Sequence, residues 1–267
     1  MAKQKLLLVD GSSLAFRAFF SILDLNRFKN SNGLHTNALY SFHRMFKSIL
    51  DSEKPTHVLV AWDAGKTTFR TEMYADYKGG RSKTPGEFIE QMPYFNVLLD
   101  AWGIPHYRLN QYEADDIIGT LARKGEEAGY EVVVLSGDKD LIQLADNNIT
   151  VKITTKGVTE LVEYTPEVIF EKYGLTPEQI IDMKGLMGDS SDNYPGVTKV
   201  GEKTAVKLLQ EFGSVEGIYE HVDEMKKSKL KENLINDKEL AFLSKKLARI
   251  NVESPIEITL ELSLIHI

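Results

Sequence analysis

Short apolar runs alternate with longer stretches of helical periodicity along the first half of the chain. The helical patterns span Ala38 to Leu50, Phe88 to Trp102 and Ala114 to Ala128. Four runs rich in leucine or β-branched residues have the length and composition of buried strands. These runs read LLLV, THVLVAW, IPHYRL and EVVVLS. The alternation predicts an α/β fold with a mostly parallel sheet.

This regular alternation is interrupted between about residues 64 and 92. The segment is polar, has a basic centre and contains four residues that break regular structure, Gly79, Gly80, Pro85 and Gly86. Connections this long inside compact domains are usually functional or disordered. After residue 165 the pattern is helical, until the final IEITLELSLIHI alternates like a strand. We therefore predict a core over 1–165 with an insert at about 64–92, and a helical subdomain over 166–267.

The composition narrows the classes of protein that fit. With 267 residues and 42% hydrophobic content, the chain can bury a sizeable core. Because it has no cysteine, disulfides and cysteine-ligated zinc are excluded, and its six histidines show no metal-site spacing. The N-terminal apolar run is too short for a signal peptide and no 18-residue apolar stretch follows. We expect a cytoplasmic protein with no membrane partner.

The net charge of −7 taken alone argues against a nucleic-acid partner, because Lys and Arg dominate binding to phosphate. However, nine of the 39 acidic residues follow predicted strands or sit in short acidic motifs. Setting these nine aside leaves 30 acidic against 32 basic residues, so the rest of the chain is close to neutral. The excess acid is therefore concentrated in one group of residues.

These nine acids are the candidate metal ligands. Strand ends in an open α/β fold gather along one edge of the sheet, where such folds bind their ligands. Each close pair of carboxylates at about 6 Å repels by roughly 3 kcal/mol at a dielectric of about 20, so the cluster needs cations. Mg²⁺ or Mn²⁺ suits oxygen ligands, and two such ions can support hydrolysis of a phosphodiester. The nine are Asp10, Asp63, Glu113, Asp115, Asp116, Asp138, Asp140, Asp189 and Asp192.

Each acid also has an ordinary interpretation. An Asp after a strand is often a turn or N-cap residue, and acids in a first helical turn, as in YEADD, often only complement the helix dipole. Asp189 and Asp192 also fit a solvated loop. The occurrence of all five acidic positions at matching places in the predicted topology favours the metal site.

Two basic features suit a nucleic-acid substrate. In the insert, positive charge alternates with an aromatic residue, which suits gripping a phosphate backbone and stacking an unpaired base, although a solvated basic loop has the same composition. If the insert is helical, Lys78 and Arg81 can reach one phosphate. The insert residues concerned are Arg70, Tyr77, Lys78, Arg81 and Lys83.

The second basic feature is GVTKVGEKTAVKLL, within about 188–212, which resembles a helix-hairpin-helix element. Such an element presents backbone N–H groups at a helix N-terminus to a DNA phosphate. A tight helix–helix turn with glycine at the caps is the alternative. The lysine cluster at 226–231 is interpreted as a solvated helix face. The candidate DNA-binding residues of the turn are Gly196, Val197, Lys199, Gly201 and Lys203.

Seven motifs together resemble, in order from about residue 5 to 250, the 5′-nuclease domain of bacterial DNA polymerase I. They are more distantly similar to phage 5′-exonucleases and flap endonucleases. The motifs are LLLVDGSSLAFRAFF, AWDAGKTTFR, YADYKGGRSKTP, QYEADDIIGTLA, LSGDKDLIQL, KGLMGDSSDNYPGV and VGEKTAVKLL.

The resemblance implies a PIN-like α/β core with a helical arch over the active site, a C-terminal helix-hairpin-helix subdomain, and hydrolysis by two Mg²⁺ ions, with Mn²⁺ as a substitute. It implies that the nine acids divide between the two ions, with Asp115 shared. The first ion would have Asp10, Asp63, Glu113, Asp115 and Asp116, and the second Asp138, Asp140, Asp189 and Asp192. Lys78, Arg81 and Asp116 would carry catalysis.

The resemblance also implies the substrate. Arg70 matches a basic position at the base of the arch, Tyr77 is a stacking candidate, and the turn from Gly196 to Gly201 matches a duplex-binding element that also binds K⁺. The expected function is a structure-specific 5′-3′ exonuclease and 5′ flap endonuclease. The expected partners are DNA with a 5′ flap, nick or end and RNA–DNA primer junctions, acted on by a monomer in primer removal, nick translation and DNA repair.

Other functions fit part of the sequence. A stand-alone flap nuclease has the same chemistry, and an idle DNA-junction binding module would not need the intact acid set. PIN-type ribonucleases are usually shorter and lack the arch, and a small-molecule phosphatase gives the basic insert no role. The terminal SLIHI departs from the family's usual continuation, and no polymerase region is present, so no polymerising activity is expected. A fragment and a stand-alone nuclease both fit this ending.

Overall fold

A computed structural model describes residues 4–65, 67–155 and 160–263. Six strands in this part of the chain form one sheet: β1 Lys5–Asp10, β2 His57–Trp62, β3 His106–Arg108, β4 Glu131–Ser136, β5 Ile149–Thr154 and β6 Leu161–Tyr164. Their order is β3-β2-β1-β4-β5-β6, and only β6 runs antiparallel to its neighbour. The predicted mostly parallel α/β sheet is confirmed.

The α-helices of the described residues run in chain order on both sides of this sheet. They are α1 Gly11–Phe20, α2 Asn37–Glu53, α3 Phe69–Met73, α4 Gly86–Ile89, α5 Met92–Ala101, α6 Ala114–Glu127, α7 Pro166–Tyr173, α8 Pro177–Met187, α9 Glu202–Phe212, α10 Val215–His221, α11 Lys229–Asn236 and α12 Lys238–Ala248. Short 3-10 turns lie at Leu25–Phe28, Lys139–Leu144, Val222–Glu224 and Leu260–Ser263. None of the helices in the described residues combines the length and apolarity needed to span a bilayer.

The central strand shows why the sequence forms this fold. β1 is buried from Leu6 to Asp10 because its side chains alternate between two cores, as in parallel sheets covered on both faces. Leu7 and Val9 pack with α1, α2 and α5, whereas Leu6 and Leu8 pack with α6. The helices that follow residue 165 share this second core, so they are anchored to the face of the sheet that carries α6.

The predicted helix from Phe88 to Trp102 is interrupted. α4 ends at Ile89 and α5 begins at Met92, because the Gln91 side chain turns inward and its carbonyl oxygen accepts the Ala38 backbone N–H at 2.9 Å. Gln91 is completely buried by this contact. The other predicted helices and all four predicted strands form close to the expected residues, whereas β5 and β6 were not predicted.

The strand prediction for the final segment is wrong for the residues that the structure describes. Leu260–Ser263 form a 3-10 turn and residues 256–259 have no regular structure. Ile256, Ile258 and Leu260 pack against the core that contains α6, so they bury apolar surface without a neighbouring strand. The rest of SLIHI, residues 264–267, lies outside the described part of the chain.

The insert between β2 and α5 contains two short helices, α3 and α4, rather than one long helix. Residues 75–80 between them form turns, and Lys78 adopts the left-handed backbone region with φ 57°. The helical arch is therefore limited to these short pieces, and Lys78 and Arg81 do not share a helix as one interpretation required. The glycines and the single proline, Pro85, that marked the insert in the sequence explain the breaks.

Candidate active site

The strand ends bring the predicted acids together at one edge of the sheet. Asp10 is the last residue of β1 and the N-cap of α1, Asp63 follows β2, and Asp138 follows β4. β1 pairs in parallel with both β2 and β4, which places these three strand ends side by side. Glu113 is the N-cap of α6, so the first turn of this helix adds Asp115 to the cluster.

Three of these acids are held by serine and backbone donors. Asp10 Oδ1 accepts the Ser13 N–H at 2.9 Å, and its Oδ2 accepts the Ser136 hydroxyl at 2.6 Å. Asp63 Oδ1 accepts the Ala114 N–H at 2.9 Å. Asp138 Oδ1 accepts the N–H of Asp140 at 2.8 Å. These donors fix the carboxylates without neutralising their charge.

Burial and mutual repulsion perturb the acids strongly. The pKa of Asp10 is raised to about 7 by burial and then by the charges of Asp63 and Asp138. Burial, with the charges of Asp10 and Asp138, raises the pKa of Asp115 well above its usual range. The pKa of Asp140 is raised to about 7, again first by burial and then by Asp138. Such raised values indicate an accumulation of negative charge that a bound cation would relieve.

The other acids contact basic side chains. Lys78 Nζ lies 2.7 Å from Glu113 Oε1, and an Arg81 guanidinium nitrogen lies 2.7 Å from Asp192 Oδ1. Lys184, on α8, contacts Asp189 and lies 2.7 Å from Asp140 Oδ1. Lys184 was not singled out from the sequence, although its position inside KGLMGDSSD is the signal that could have identified it.

Arg70 and Asp116 form a buried ion pair, contrary to the sequence prediction. Two guanidinium nitrogens of Arg70 each lie 2.8 Å from an oxygen of Asp116, and Arg70 also donates to the carbonyls of Leu247 and Arg249. Asp116 is completely buried and also accepts the backbone N–H groups of Glu113 and Asn251.

These contacts bear on two predictions. In this structure the Asp116 oxygens accept the Arg70 guanidinium and two backbone N–H groups, so Asp116 acts as a capping-box residue and ion-pair partner, and its role as a metal ligand and catalytic group stays a prediction. Arg70 is only 2% exposed and therefore has no access to a DNA phosphate. The capping contact of Asp116 agrees with the ordinary interpretation of YEADD, an acid in a first helical turn.

Tyr77 also lies inside the protein. Its ring is 5% exposed and stacks on Tyr194, and its hydroxyl lies within hydrogen-bond distance of Glu113 and Asp192 at 3.2 and 3.1 Å. A buried ring cannot stack on a DNA base, so the stacking prediction for Tyr77 is wrong for this structure. The insert instead closes onto the 189–194 loop, where the Lys78 N–H donates to the Asp192 carbonyl at 2.8 Å.

The exposed basic residues of the insert remain candidates for phosphate binding. The side chains of Lys78 and Arg81 are 25% and 55% exposed, although each contacts a carboxylate of the cluster. Lys83 is exposed and lies in residues 81–85 of the insert, which have no regular secondary structure. Lys78 and Arg81 thus stand between the acids and solvent, where an incoming phosphate would meet them.

The predicted helix-hairpin-helix turn lies between α8 and α9. Gly196 has φ 84°, and a Cβ there would lie 2.2 Å from the Gly188 nitrogen, so only glycine fits this close approach. Val197 is buried, whereas Lys199, Gly201 and Lys203 are exposed. The turn therefore offers the start of α9 and two lysines to solvent.

Two residues that were not predicted hold this turn in place. The Asn233 amide donates to the Thr198 carbonyl at 2.9 Å, and Asp237 accepts the Thr198 N–H at 2.8 Å. Both lie on or beside α11, far from the turn in sequence. No local pattern indicated their role.

The acid cluster fits hard divalent cations by its chemistry. In their present positions, no three Asp, Glu or His side chains of the described residues converge closely enough to hold a metal ion. The available ligands are carboxylate oxygens, which Mg²⁺ and Mn²⁺ prefer. The buried Tyr194 hydroxyl has no hydrogen-bond partner among the residues that the structure describes and lies in the field of four of the acids, which suits a hydrated ion in this space. These four acids are Asp138, Asp140, Asp189 and Asp192.

The raised pKa values predict how stability depends on pH. The folded pKa of Asp10 and Asp140 is about 7 against 3.8 for an unperturbed Asp, so between these values the folded state binds more protons than the unfolded state. We therefore expect the melting temperature of the metal-free protein to fall as the pH rises from 5 to 8. Added Mg²⁺ should raise the melting temperature by about 2–4 °C more at pH 8 than at pH 5.

This is measured by thermal unfolding in EDTA and in excess Mg²⁺ at both values of pH. An equal Mg²⁺ effect at pH 5 and pH 8 would contradict the coupling between metal binding and ionisation of these carboxylates. Asp189 does not contribute to the change between pH 5 and pH 8, because ion-pairing with Lys184 lowers its pKa to about 2.

Comparison with known proteins places this geometry among nucleases. The sequence model of one protein family, the 5′-3′ exonuclease N-terminal resolvase-like domain, matches residues 5–174. That of a second, the 5′-3′ exonuclease C-terminal SAM fold, matches residues 175–265. The DNA polymerase I of Streptococcus pneumoniae (strain ATCC BAA-255 / R6) is 63% identical over 262 residues, covering 98% of this chain and 30% of that protein. The chain thus spans about a third of the length of this relative.

Two solved structures are similar over nearly the whole chain. The T5 5′-exonuclease with bound divalent zinc ions is 27% identical with a TM-score of 0.75, over 93% of this chain and 90% of that one. The bacteriophage T5 flap endonuclease, in a pseudo-enzyme-product complex with DNA and metal ions, is 26% identical with a TM-score of 0.73, over 93% and 89%.

Proposed function

This chain belongs to the 5′-3′ exonuclease family, and from that premise we propose that it is a structure-specific 5′-3′ exonuclease and 5′ flap endonuclease. It would hydrolyse phosphodiester bonds of DNA and of RNA primers, in primer removal, nick translation and DNA repair. The observation that carries the proposal is the carboxylate cluster at the sheet edge, with Lys78 and Arg81 on its solvent side. Any activity of a longer protein lies beyond these 267 residues.

We propose Mg²⁺ as the cofactor, bound as two ions, with Mn²⁺ as a substitute. The ligands would be the acids of the cluster other than Asp116, with Asp115 shared. When bound, the ions stabilise charge on the attacking and leaving oxygens of the phosphodiester. The solved T5 relative with divalent metal ions supports a metal site of this kind. The ligands are Asp10, Asp63, Glu113, Asp115, Asp138, Asp140, Asp189 and Asp192.

The chain's own residues would position the substrate. Lys78 and Arg81 now contact Glu113 and Asp192, and each can exchange that carboxylate for the scissile phosphate when cations neutralise the cluster. This exchange would bring the phosphate to the acids without leaving a buried charge unpaired. Lys83, further along the insert, would contact the backbone of the unpaired strand.

The duplex would bind at the turn between α8 and α9. Its exposed start of α9 suits a phosphate, with charge from Lys199 and Lys203 and a K⁺ ion at the backbone from Gly196 to Gly201. The T5 relative in complex with DNA supports a DNA substrate. We propose that a monomer acts on duplexes with a 5′ flap, nick or end and on RNA–DNA junctions, with residues 1–165 as the core and 166–267 as the duplex-binding subdomain.

The first test is cleavage of a 5′-labelled flap duplex, compared with blunt duplex and single strand, in Mg²⁺ or EDTA. We expect Mg²⁺-dependent cutting near the junction, and a slowing by about 10²-fold in Lys78→Ala, because a donor to developing phosphate charge is lost. Lys47→Ala, an exposed lysine on α2, is the matched control and should cut like the wild type.

Two results would contradict this proposal. Tight binding of the flap without cutting in any divalent metal would leave a junction-binding module. Cutting of single-stranded RNA in preference to the flap would instead favour a PIN-type ribonuclease.

A further inference from the structure

Three serine hydroxyls tie the strand ends beneath the acid cluster. Ser12 Oγ, in the first turn of α1, accepts the Asp63 N–H at 3.1 Å, and Ser13 Oγ accepts the Gly137 N–H at 2.9 Å. Ser136, the last residue of β4, contacts Asp10 at the end of β1 through its hydroxyl. The ends of β2, β1 and β4 are therefore connected by side-chain hydroxyls at the point where their acids project.

Ser136 differs from the other two because its bond is made to a carboxylate. Its Oγ accepts the Asp138 N–H at 3.0 Å and lies 2.6 Å from Asp10 Oδ2. A backbone N–H can only donate, so the hydroxyl hydrogen of Ser136 is left for Asp10. The hydroxyl thus joins two candidate metal-binding residues from adjacent strands with a fixed direction of donation.

The hydrogen bond from Ser136 to Asp10 is buried and lies among like charges. Ser136 is 2% exposed and Asp10 is 5% exposed, so water cannot easily replace the hydroxyl. Asp10 also lies in the repulsive field of Asp63 and Asp138. With the Ser13 N–H on Oδ1 and Ser136 on Oδ2, both oxygens are held and the carboxylate cannot rotate away from its like-charged neighbours.

We propose that Ser136 is a positioning residue that orients the Asp10 carboxylate for metal binding. The inference rests on the proposed function, because it assigns Asp10 to the metal site. Donors in this position around metal ligands typically change metal affinity by about 10–100-fold when removed. A serine that only filled space or stabilised the fold would leave metal affinity unchanged.

The test is Mn²⁺ binding to the DNA-free protein by titration calorimetry. Ser136→Ala should bind Mn²⁺ about 10–100-fold more weakly, whereas Ser136→Thr, which keeps the hydroxyl, should recover most of the affinity. Ser41→Ala is the control, because Ser41 is also buried and hydrogen-bonded, to Ser21, but on α2. It should lower the melting temperature about as much as Ser136→Ala and leave Mn²⁺ binding unchanged.

Flap cleavage gives a second readout. In Ser136→Ala the Mg²⁺ concentration for half-maximal cutting should rise while KM for DNA stays the same. Wild-type affinity for Mn²⁺ in Ser136→Ala would overturn the inference even if cutting is Mg²⁺-dependent. If Ser136→Ala does not fold, wild-type Mn²⁺ affinity in Ser136→Cys, whose thiol is a poor donor, would overturn it equally. A wild type that binds Mn²⁺ but never cuts would contradict the proposed function alone.

Discussion

Replacing Arg70 by methionine is expected to lower the free energy of unfolding by about 3–5 kcal/mol. The substitution removes the positive partner of Asp116, which is completely buried, and leaves the carbonyls of Leu247 and Arg249 without a donor. An unpaired buried carboxylate is costly because burial strips its hydration. Urea unfolding at pH 7 measures the change.

The matched control is Arg123→Met. Arg123 also contacts two carboxylates, of Glu126 and Asp146, but its side chain is 31% exposed. Such partly solvated pairs are typically worth about 0–1 kcal/mol, so this variant should stay close to the wild type. Equal stability of the Arg70 and Arg123 variants would refute a structural role for the Arg70–Asp116 pair.

Adding Asp116→Asn to Arg70→Met separates the ion pair from the metal site. If Asp116 is only the partner of Arg70, the double variant should be more stable than Arg70→Met, because no unpaired carboxylate is left at position 116 and the neighbouring Glu113 keeps its contact with Lys78. Below its melting temperature it should also retain Mg²⁺-dependent cutting. Loss of cutting in a folded double variant would return Asp116 to the metal ligands.

The pair also explains how distant parts of the chain support the site. Arg70, just after α3 begins, joins the first turn of α6 to the carbonyls at the end of α12. Gln143 adds a parallel connection, since its amide binds the Ala248 carbonyl and the Ile250 N–H. The C-terminal helices thereby fix the position of α6, which carries Glu113 and Asp115.

The sequence predicted the positions of residues well where a single strand or helix determines them. Three of the four predicted strands, β1, β2 and β4, are largely apolar runs buried on both faces, and the parallel pairing of these strands places their acids at one edge. The fourth, β3, is a short and partly exposed strand at the edge of the sheet. The sequence was less informative for neighbouring acids of one motif. Asp115 and Asp116 are indistinguishable by type and local pattern, and only the position of Arg70, 46 residues away, assigns Asp116 to the protein interior.

The prediction of the insert is limited in the same way, because contacts with residues distant in sequence decide which side chains are buried. Lys78 and Tyr77 are adjacent, and their residue types suit phosphate and base contacts equally well in a loop. In the folded protein the Tyr77 hydroxyl contacts two buried carboxylates and its ring is buried, while the Lys78 side chain remains partly exposed. Polar contacts between residues more than 100 positions apart, as between Tyr77 and Asp192, have no signature in local composition.

Replacing Asp115 by asparagine is expected to slow flap cleavage by about 10³-fold, near the upper effect of removing one charge-stabilising group. Asp115 lies in the field of Asp10 and Asp138 and would be shared by both ions, so its loss weakens the charge that holds them. Single-turnover cleavage in excess Mg²⁺ measures the effect. Cutting within tenfold of the wild type would show that Asp115 is not a metal ligand.

The same variant should gain stability when metal is absent. Burial and like charge raise the folded pKa of Asp115, so its ionisation destabilises the folded state as the pH rises above the unfolded value. In EDTA at pH 8, Asp115→Asn should therefore melt at a higher temperature than the wild type, and near pH 4 the difference should vanish because the wild-type carboxyl is then protonated. Asp51→Asn, an exposed acid on α2, should show neither effect. If Asp115 binds the cations, Asp115→Asn lowers the cleavage rate but raises the melting temperature of the metal-free protein. If Asp115 instead supports the fold, the substitution lowers both the cleavage rate and the melting temperature.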